Sequence, residues 1–255
     1  MSEKRTVPYK IEPIHSWNEF VRKVGSPPYN SWAFRGHANG NWPLLSALGR
    51  YLDTYIEEEY WERQEARILR IFQRKAHLYL TNPPPGEDRF QWLALMQHHG
   101  GPTRLLDFTW SPYVAAFFAL ERAEKEAAVW ALNPARLENV TERLNQFLEA
   151  EESGLIGIGE PFVMNKRLIA QSGTFIVTRQ VGTPIESLVG NYEDPKDTLV
   201  KFELVRSLVR NDSMRALFTM NITQATLFPD LDGLARSLGY ELEFNYGYDP
   251  RKRAV

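Results

Sequence analysis

The chain has 255 residues, 43% hydrophobic and 13% aromatic, so it can bury a sizeable core. Thirty basic and 32 acidic residues give a formal charge of -2 at pH 7, which provides no global signal for nucleic-acid binding. The absence of cysteine excludes disulfides, thiolate zinc sites and cysteine nucleophiles. No metal site is expected, because the five histidines form no helical pair around a glutamate. The sequence has no run of ~20 apolar residues and no apolar signal core. We therefore expect a cytoplasmic protein with no membrane association.

In the first half of the chain, short strands alternate irregularly with helices. Helical spacing and capping signals predict helices over 16–24, 53–79, 90–97 and 111–125. Ser16 and Glu19 form a capping-box pattern at the start of the first, and Pro112 occupies the tolerated first position of the last. Strands are predicted at 32–36, 105–108 and 127–132.

The second half continues the same irregular pattern. Helices are predicted over 139–151, 207–218 and 230–238, and strands at 162–163, 174–179 and 198–203. This mixture is typical of an α+β fold whose mixed or antiparallel central sheet is split by helices, and not of a doubly wound parallel sheet. We expect one domain over 1–255, with its core at about 17–238 and a charged tail at 248–255.

The first candidate for chemistry is an arginine inside an apolar strand, in Phe34-Arg35-Gly36-His37. Such a charge is costly to bury unless it is paired or meets an anion. Gly36 allows a ligand or another backbone to approach closely. Arg35 is therefore either a planar fork for phosphate or half of a structural salt bridge, with Asp107 as the candidate partner.

A second candidate is the loop from Gln97 to Asp107, which surrounds a Gly-Gly-Pro turn with polar side chains. His98, Arg104 and Asp107 offer the acid–base and phosphate-binding groups that a metal-free nuclease needs. In the structural alternative, Arg104 pairs with Asp107 and His98 caps the preceding helix.

Two further stretches carry polar groups beside apolar elements. Thr109 or Ser111 can cap the apolar helix that follows, which must be buried close to a sheet, and its free N–H groups offer an anion site or simply a good cap. Gln171 precedes a predicted strand and either orients a substrate or belongs to an ordinary turn. The segment 226–234 is interpreted as architectural.

Several of these motifs, in this order, resemble the FRG domain of bacteria. The resemblance spans about 17–238. It rests on Phe34-Arg35-Gly36, the 97–107 block, the helix from Ser111, the 171–175 segment and the 227–233 segment.

A weaker resemblance is to the arginine-type mono-ADP-ribosyltransferases, and it implies an ADP-ribosyltransferase-like fold with NAD as substrate. Under it, Arg35 with Gly36 and His37 holds NAD, Thr109 and Ser111 support the nicotinamide pocket, and Tyr113 or Phe118 stacks on the nicotinamide. The family's glutamate is replaced by Gln171, with Glu160, Glu241 and Glu243 as other candidates.

The leading hypothesis is an NAD-consuming ADP-ribosyltransferase-like toxin or effector, in antiphage defence or a toxin–antitoxin system. We expect its catalytic residues, Arg35, His98, Arg104, Asp107 and Gln171, to line one concave site. It would need a protein or nucleic-acid acceptor and would have a neutralising partner. The alternatives are a metal-free nuclease or nucleotide hydrolase, and a non-enzymatic module that binds a nucleotide or a partner.

Overall fold

The computed structural model describes residues 7–150, 154–205 and 207–244, and its strands form one sheet. The strands are β1 (Lys10–Ile14), β2 (Ala33–His37), β3 (Leu106–Thr109), β4 (Ala127–Leu132), β5 (Glu138–Asn139), β6 (Ile156–Gly159), β7 (Gly173–Thr178) and β8 (Leu199–Leu204). Their order across the sheet is β1-β8-β4-β2-β3-β7-β6-β5. The outermost pair at each edge is parallel and the pairs between are antiparallel. The fold is α+β with one continuous mixed sheet, where a split sheet was expected.

Helices pack around this sheet. They are α1 (Trp17–Val24), α2 (Ala47–Tyr55), α3 (Trp61–Ala76), α4 (Arg89–His98), α5 (Pro112–Leu120), α6 (Leu144–Glu149), α7 (Lys166–Ala170), α8 (Ile185–Leu188), α9 (Pro195–Thr198), α10 (Ser207–Thr219), α11 (Gln224–Leu227) and α12 (Leu231–Phe244). The predicted cap of α1 is confirmed, because Ser16 Oγ accepts a hydrogen bond from Glu19 N at 3.2 Å. Within the described ranges, no helix is long and apolar enough to span a membrane.

Three predicted elements are wrong. The helix predicted over 53–79 is two helices, because Ile56 is extended (φ -142°, ψ 139°) and its carbonyl accepts from Trp61 Nε1 at 2.8 Å. The helix predicted from 139 begins at Leu144, because β5 pairs there with β6. The strand predicted at 162–163 is an exposed bend, and Ile156–Gly159 forms the strand instead. The predicted tail at 248–255 lies outside the described residues.

Helix α5 lies against β2, and glycine is required at their contact. A Cβ on Gly36 would lie 1.9 Å from the carbonyl oxygen of Ala115 and 2.5 Å from the nitrogen of Ala119. Both alanines are fully buried, as expected for an apolar helix packed on a sheet. Gly36 therefore admits the helix backbone, the second of the two explanations that its sequence context allowed.

Strands β2 and β3 separate soon after they meet. Their register contains one pair, Phe34 with Thr109, whereas β2 pairs with β4 and β3 pairs with β7 along their whole lengths. A continued antiparallel ladder would have paired Gly36 with Asp107. The sheet thus opens on the C-terminal side of Phe34, next to Arg35.

Candidate functional site

A cavity of about 680 Å³ occupies the place where β2 and β3 separate. Its walls come from both strands, from α5 and from the loop after β2. Its lining residues are Phe34, Arg35, Gly36, His37, Ala38, Trp42, Pro43, Arg50, Asp107, Phe108, Thr109, Ala115, Phe118, Glu121, Arg122, Arg167 and Gln171. Four of these are arginines and two are acidic, so the lining carries an excess of positive charge.

Arg35 is held from one side by His37. The Nε–H of Arg35 donates to His37 Nε2 at 3.1 Å, which assigns the ring proton to Nδ1. The Nδ1–H then donates to the carbonyl oxygen of Trp42 at 3.2 Å. Burial, together with the charge of Arg35, lowers the pKa of His37 to about 3. His37 is therefore neutral at pH 7 and links the arginine to the loop that carries Trp42.

Asp107 holds Arg35 from the other side, through its main chain. Arg35 Nη1 donates to the carbonyl oxygen of Asp107 at 2.5 Å, while the nearest carboxylate oxygen lies 4.0 Å away. The Asp107 side chain is 64% exposed, and its Oδ1 accepts from Gln97 Nε2 at 2.8 Å. So distant and exposed an ion pair contributes little to stability. The structural salt bridge considered from the sequence is therefore a weak one.

The charge of Arg35 is incompletely compensated. Burial lowers the pKa of its guanidinium, Asp107 opposes that shift, and Arg50 adds to it. The side chain is 20% exposed, and among the described residues its Nη2 has no hydrogen-bond partner. A desolvated guanidinium with a free edge on a cavity is suited to binding an anion.

The other three arginines of the cavity are exposed. Arg50 donates from Nη1 to the carbonyl oxygen of Leu45 at 2.6 Å. The guanidinium of Arg167 lies 4.4 Å from the ring centroid of Phe228, a cation–π contact. Arg122 follows the C-terminus of α5. Their charges can attract an anion toward Arg35.

Glu121 lines the cavity and was missed by the sequence reasoning. It caps the C-terminus of α5, and its Oε2 accepts from the hydroxyl of Tyr240 at 2.8 Å. Burial raises the pKa of Glu121, and burial with this hydrogen bond raises the pKa of Tyr240 to about 12. The sequence offered little signal, because a helix predicted to continue to Lys125 makes Glu121 resemble an ordinary helical residue.

Gln171 and Thr109 meet at the cavity. The hydroxyl of Thr109 donates to the carbonyl oxygen of Gln171 at 2.7 Å, and Gln171 Nε2 donates to the carbonyl oxygen of Leu227 at 3.1 Å. Ser111 Oγ caps α5 by accepting from Val114 N. Ser111 is not among the cavity-lining residues.

Tyr113 is also absent from the cavity lining, and it packs against Trp17 with ring centroids 6.2 Å apart. The aromatic side chains that border the cavity are Phe34, Trp42, Phe108 and Phe118. Trp42 is 53% exposed, and no motif identified in the sequence included it.

Arg104 does not line the cavity, which corrects the expectation of one site containing it. It is 3% exposed, and its Nε donates to both carboxylate oxygens of Glu65, at 2.7 and 2.9 Å. Its Nη1 donates to the carbonyl oxygen of Arg179 at 3.0 Å. Arg89 also pairs with Glu65, at 2.9 Å. Arg104 thus belongs to a buried ion cluster and pairs with Glu65, not with Asp107.

His98 also lies outside the cavity lining. It is the last residue of α4, and its ring contacts that of His99, with centroids 4.9 Å apart. Burial lowers the pKa of His98, and the neighbouring His99 adds to this effect. Of the five expected catalytic residues, the structure brings Arg35, Asp107 and Gln171 together and leaves His98 and Arg104 apart.

Among the residues that the structure describes, no group of three or more histidine, aspartate or glutamate side chains is arranged to hold a metal ion.

Comparison with known proteins gave no match to a curated protein and none to a solved structure. The model of one family, the FRG domain, matches residues 30–128, which include β2, β3, α5 and most of the cavity lining. Over residues 30–128 the chain is therefore similar to the FRG domain.

Proposed function

We propose that the cavity binds NAD and that the protein transfers ADP-ribose from it to a macromolecular acceptor. The observation that carries this proposal is the state of Arg35. Its guanidinium is desolvated and is fixed by His37 and by the Asp107 main chain. Among the described residues its Nη2 has no hydrogen-bond partner, and the residue lines the cavity. The cavity volume of about 680 Å³ lies in the usual range for small-molecule sites.

The arginines suit the diphosphate of NAD. A planar guanidinium matches two phosphate oxygens at once, and Arg35 presents that geometry from a strand. Arg50, Arg122 and Arg167 are exposed around the same cavity. Their charges would raise the local concentration of an anionic ligand and leave Arg35 to fix its position.

The aromatic residues suit the planar rings of NAD. Trp42 and Phe118 belong to different walls of the cavity, one to the loop after β2 and the other to α5. Either ring can stack on adenine or nicotinamide. Trp42 lies beside His37, with ring centroids 6.2 Å apart, so the histidine that holds Arg35 also supports this aromatic surface.

The carboxylates suit the chemistry of transfer. When the bond from C1′ to nicotinamide breaks, nicotinamide leaves with the electron pair and C1′ becomes positive. A fixed negative charge stabilises that cation, and Glu121 and Asp107 are the cavity carboxylates. The acceptor nucleophile then bonds to C1′ and loses its proton to a carboxylate or to water. We assign to Glu121 the role of the glutamate that Gln171 replaces in the sequence.

The two alternatives receive different support. A nuclease built on His98, Arg104 and Asp107 needs the guanidinium of Arg104, which is occupied by Glu65. A non-enzymatic nucleotide-binding module would use the same cavity as the proposed enzyme, so only turnover separates these two. An enzyme that consumes NAD would act in the cytoplasm, as a toxin or effector in antiphage defence or a toxin–antitoxin system.

The test is incubation of the full chain with adenylate-labelled NAD and a bacterial lysate, following nicotinamide release and transfer of label. The expected result is release and transfer by the wild type, with both lost in Arg35→Lys. Arg136→Lys is the matched control, because Arg136 forms a surface ion pair with Asp194 away from the cavity. Binding of NAD without release of nicotinamide would indicate a non-enzymatic binding module. Absence of NAD binding in a calorimetric titration would refute the proposal.

A further inference from the structure

Gln97 links a buried threonine to a carboxylate of the cavity wall. Its Nε2 donates to Asp107 Oδ1 at 2.8 Å, and its Oε1 accepts from the hydroxyl of Thr103. Thr103 is fully buried, and its hydroxyl oxygen also accepts from Leu105 N at 3.1 Å. Gln97 is not among the cavity-lining residues, whereas Asp107 is. Any role of Gln97 in ligand binding is therefore exerted through Asp107.

These contacts determine which way the amide of Gln97 points. A carboxylate only accepts hydrogen bonds, so the amino group of the amide must face Asp107. The amide oxygen then faces Thr103, whose hydroxyl proton is available because its oxygen accepts from Leu105 N. A reversed amide would place oxygen against oxygen at Asp107. The series from Thr103 through Gln97 to Asp107 therefore has one satisfied arrangement.

The Gly-Gly-Pro turn brings these three residues together. Gln97 lies in the last turn of α4, whereas Thr103 precedes β3 and Asp107 lies within it. The chain reverses at Gly100, whose φ of +82° is in the left-handed region that favours glycine. Its nitrogen donates to the carbonyl oxygen of Gln97 at 2.9 Å. The polar loop identified in the sequence thus reaches the cavity through Gln97 and Asp107.

Asp107 keeps one carboxylate oxygen for a ligand. Oδ1 is engaged by Gln97, whereas Oδ2 has no hydrogen-bond partner among the described residues and lies 4.0 Å from Arg35 Nη1. The side chain is 64% exposed, and an aspartate so exposed would otherwise rotate freely. Fixing a side chain before the ligand arrives removes part of the entropy cost of binding. A fixed acceptor and an anion-binding arginine therefore lie side by side in the cavity wall.

We propose that Gln97 is a positioning residue, which holds the Asp107 carboxylate to accept a hydrogen bond from a ribose hydroxyl of NAD. This inference rests on the proposed function and specifies how the site takes its substrate. Each ribose of NAD is attached to a phosphate, so one ligand can meet Arg35 with a phosphate and Asp107 with a hydroxyl. Carboxylates bind ribose hydroxyls in this way in dinucleotide sites. The two cavity carboxylates then have different tasks, with Glu121 at C1′ and Asp107 at the hydroxyl.

The main chain of Asp107 is engaged separately from its side chain. Its carbonyl oxygen accepts from Arg35 Nη1, whereas Gln97 contacts only the carboxylate. Substitutions of either side chain therefore leave in place the acceptor that fixes Arg35. The contribution of the carboxylate to ligand binding can thus be separated from that of the guanidinium by mutation.

The experiment is a double-mutant cycle on the full chain, with kcat and KM for nicotinamide release measured over a range of NAD concentrations. Asp107→Ala should raise KM about tenfold with kcat largely unchanged, because it removes a hydrogen bond made to bound substrate and transition state alike. Gln97→Leu should raise KM about fivefold, because the carboxylate remains but is no longer fixed. In the Asp107→Ala background, Gln97→Leu should add nothing, since a positioning residue acts only through the carboxylate.

Gln73→Leu is the matched control, because Gln73 donates to the carbonyl oxygen of Gly86 at 3.2 Å, away from the cavity lining. Thr103→Val should raise KM as Gln97→Leu does, and Thr103→Ser, which keeps the hydroxyl, should restore most of the loss. Should Gln97→Leu fail to fold, Gln97→Glu keeps an acceptor for Thr103 and removes the donor to Asp107. It should raise KM in the wild-type background and much less in Asp107→Ala.

The ribose involved is identified with AMP and nicotinamide mononucleotide, which each carry one ribose of NAD beside one phosphate. Both are tested as competitive inhibitors of nicotinamide release. We expect the inhibition constant of one of them to rise about tenfold in Asp107→Ala, while that of the other stays unchanged. Inhibition constants unchanged for both, or no inhibition by either, would overturn the assignment of Asp107 to a ribose hydroxyl.

Other outcomes overturn the role of Gln97. Equal effects of Gln97→Leu with and without the Asp107 carboxylate would show that Gln97 does not act through it. A fall in kcat at unchanged KM would make Asp107 a group of the chemical step. Normal NAD turnover with an unchanged KM in Gln97→Leu would overturn this inference alone. A wild-type protein that binds no NAD would overturn the proposed function together with it.

Discussion

The guanidinium of Arg35 takes the place of a strand hydrogen bond to Asp107. Its Nη1 donates to the Asp107 carbonyl oxygen at 2.5 Å, at the point where β2 and β3 no longer pair. The Arg35 side chain thus donates to a carbonyl oxygen that would have accepted from the main chain of β2 if the two strands had continued to pair. The gap between β2 and β3 stays open as a cavity, and Arg35 lines that cavity.

Replacing Arg35 with lysine should remove activity and largely preserve the fold. Lysine keeps the charge but cannot donate in a fixed plane to His37, to Asp107 and to an anion together. We expect nicotinamide release to fall by about 10²-fold or more. Thermal melting and NAD turnover measured on one preparation give both quantities. A folded and fully active Arg35→Lys protein would contradict the assigned role.

Gly36→Ala should destabilise the domain. The added methyl group would lie 1.9 Å from the Ala115 carbonyl oxygen, so α5 must move away from β2. Overpacking of this kind costs ~1–3 kcal/mol or more. Gly86→Ala is the control, because an added Cβ there meets nothing within 4 Å. Urea unfolding of the two variants measures the difference, and equal stabilities would show that α5 does not depend on Gly36.

Elements with strong local signals could be predicted from the sequence. The apolar run of β4 was predicted at its observed bounds, and Ser111 with Pro112 correctly marked the start of α5. Elements set by distant partners could not be predicted. β1, for example, is short and carries exposed residues, and it forms a strand because it pairs with β8, about 190 residues further along.

The residues of the candidate site show the same contrast between local sequence signals and distant partners. Arg35, Asp107 and Gln171 stood out because polar residues interrupt apolar segments, and the structure brings them together. Arg104 was selected for the same reason. Its partner Glu65, however, lies 39 residues upstream, in a helix whose sequence shows many charged residues and nothing that distinguishes Glu65 from the others. Glu121 went unnoticed because its importance depends on where α5 ends.

The Glu65–Arg104 pair should be structural. Among the described residues, Arg104→Leu leaves the fully buried carboxylate of Glu65 with Arg89 as its one ion-pair partner. Breaking a buried pair costs ~3–5 kcal/mol. The double variant Glu65→Leu, Arg104→Leu should recover part of that loss, because it leaves neither charge buried. Chemical denaturation of the single and double variants measures both effects. A stable Arg104→Leu protein that has lost NAD turnover would instead support the original catalytic assignment.

Burial of His37 should make the free energy of unfolding depend on pH in the acidic range. Because its pKa falls from 6.5 in the unfolded chain to about 3 in the fold, the unfolded chain binds more protons between these values. The free energy of unfolding should therefore fall as pH drops from 6.5 toward 3, by up to ~1.4 kcal/mol per pH unit from this group. His37→Gln should remove that part of the slope, while His15→Gln, on an exposed residue, should not. Parallel slopes for wild type and His37→Gln would show that His37 titrates normally.

Tyr240→Phe should move the pH dependence of NAD turnover. The Tyr240 hydroxyl donates to Glu121 Oε2 and so lowers the pKa of that carboxyl, against the larger effect of burial, which raises it. Without the hydroxyl the pKa of Glu121 rises, and the ionised form needed at the cationic transition state appears only at higher pH. The acid limb of the profile should therefore shift upward in pH, with the rate largely retained on the alkaline side.

Tyr192→Phe is the control, because it removes a hydroxyl bonded to Ile156 N, away from the cavity lining. Glu121→Gln should abolish the acid limb together with most of the activity, because glutamine does not titrate. If Tyr240 only packs α12 against the core, Tyr240→Phe would lower the rate by the same factor at every pH. A profile of unchanged shape would therefore remove Glu121 from the proposed reaction, while a shifted limb would tie the α12 helix to its chemistry.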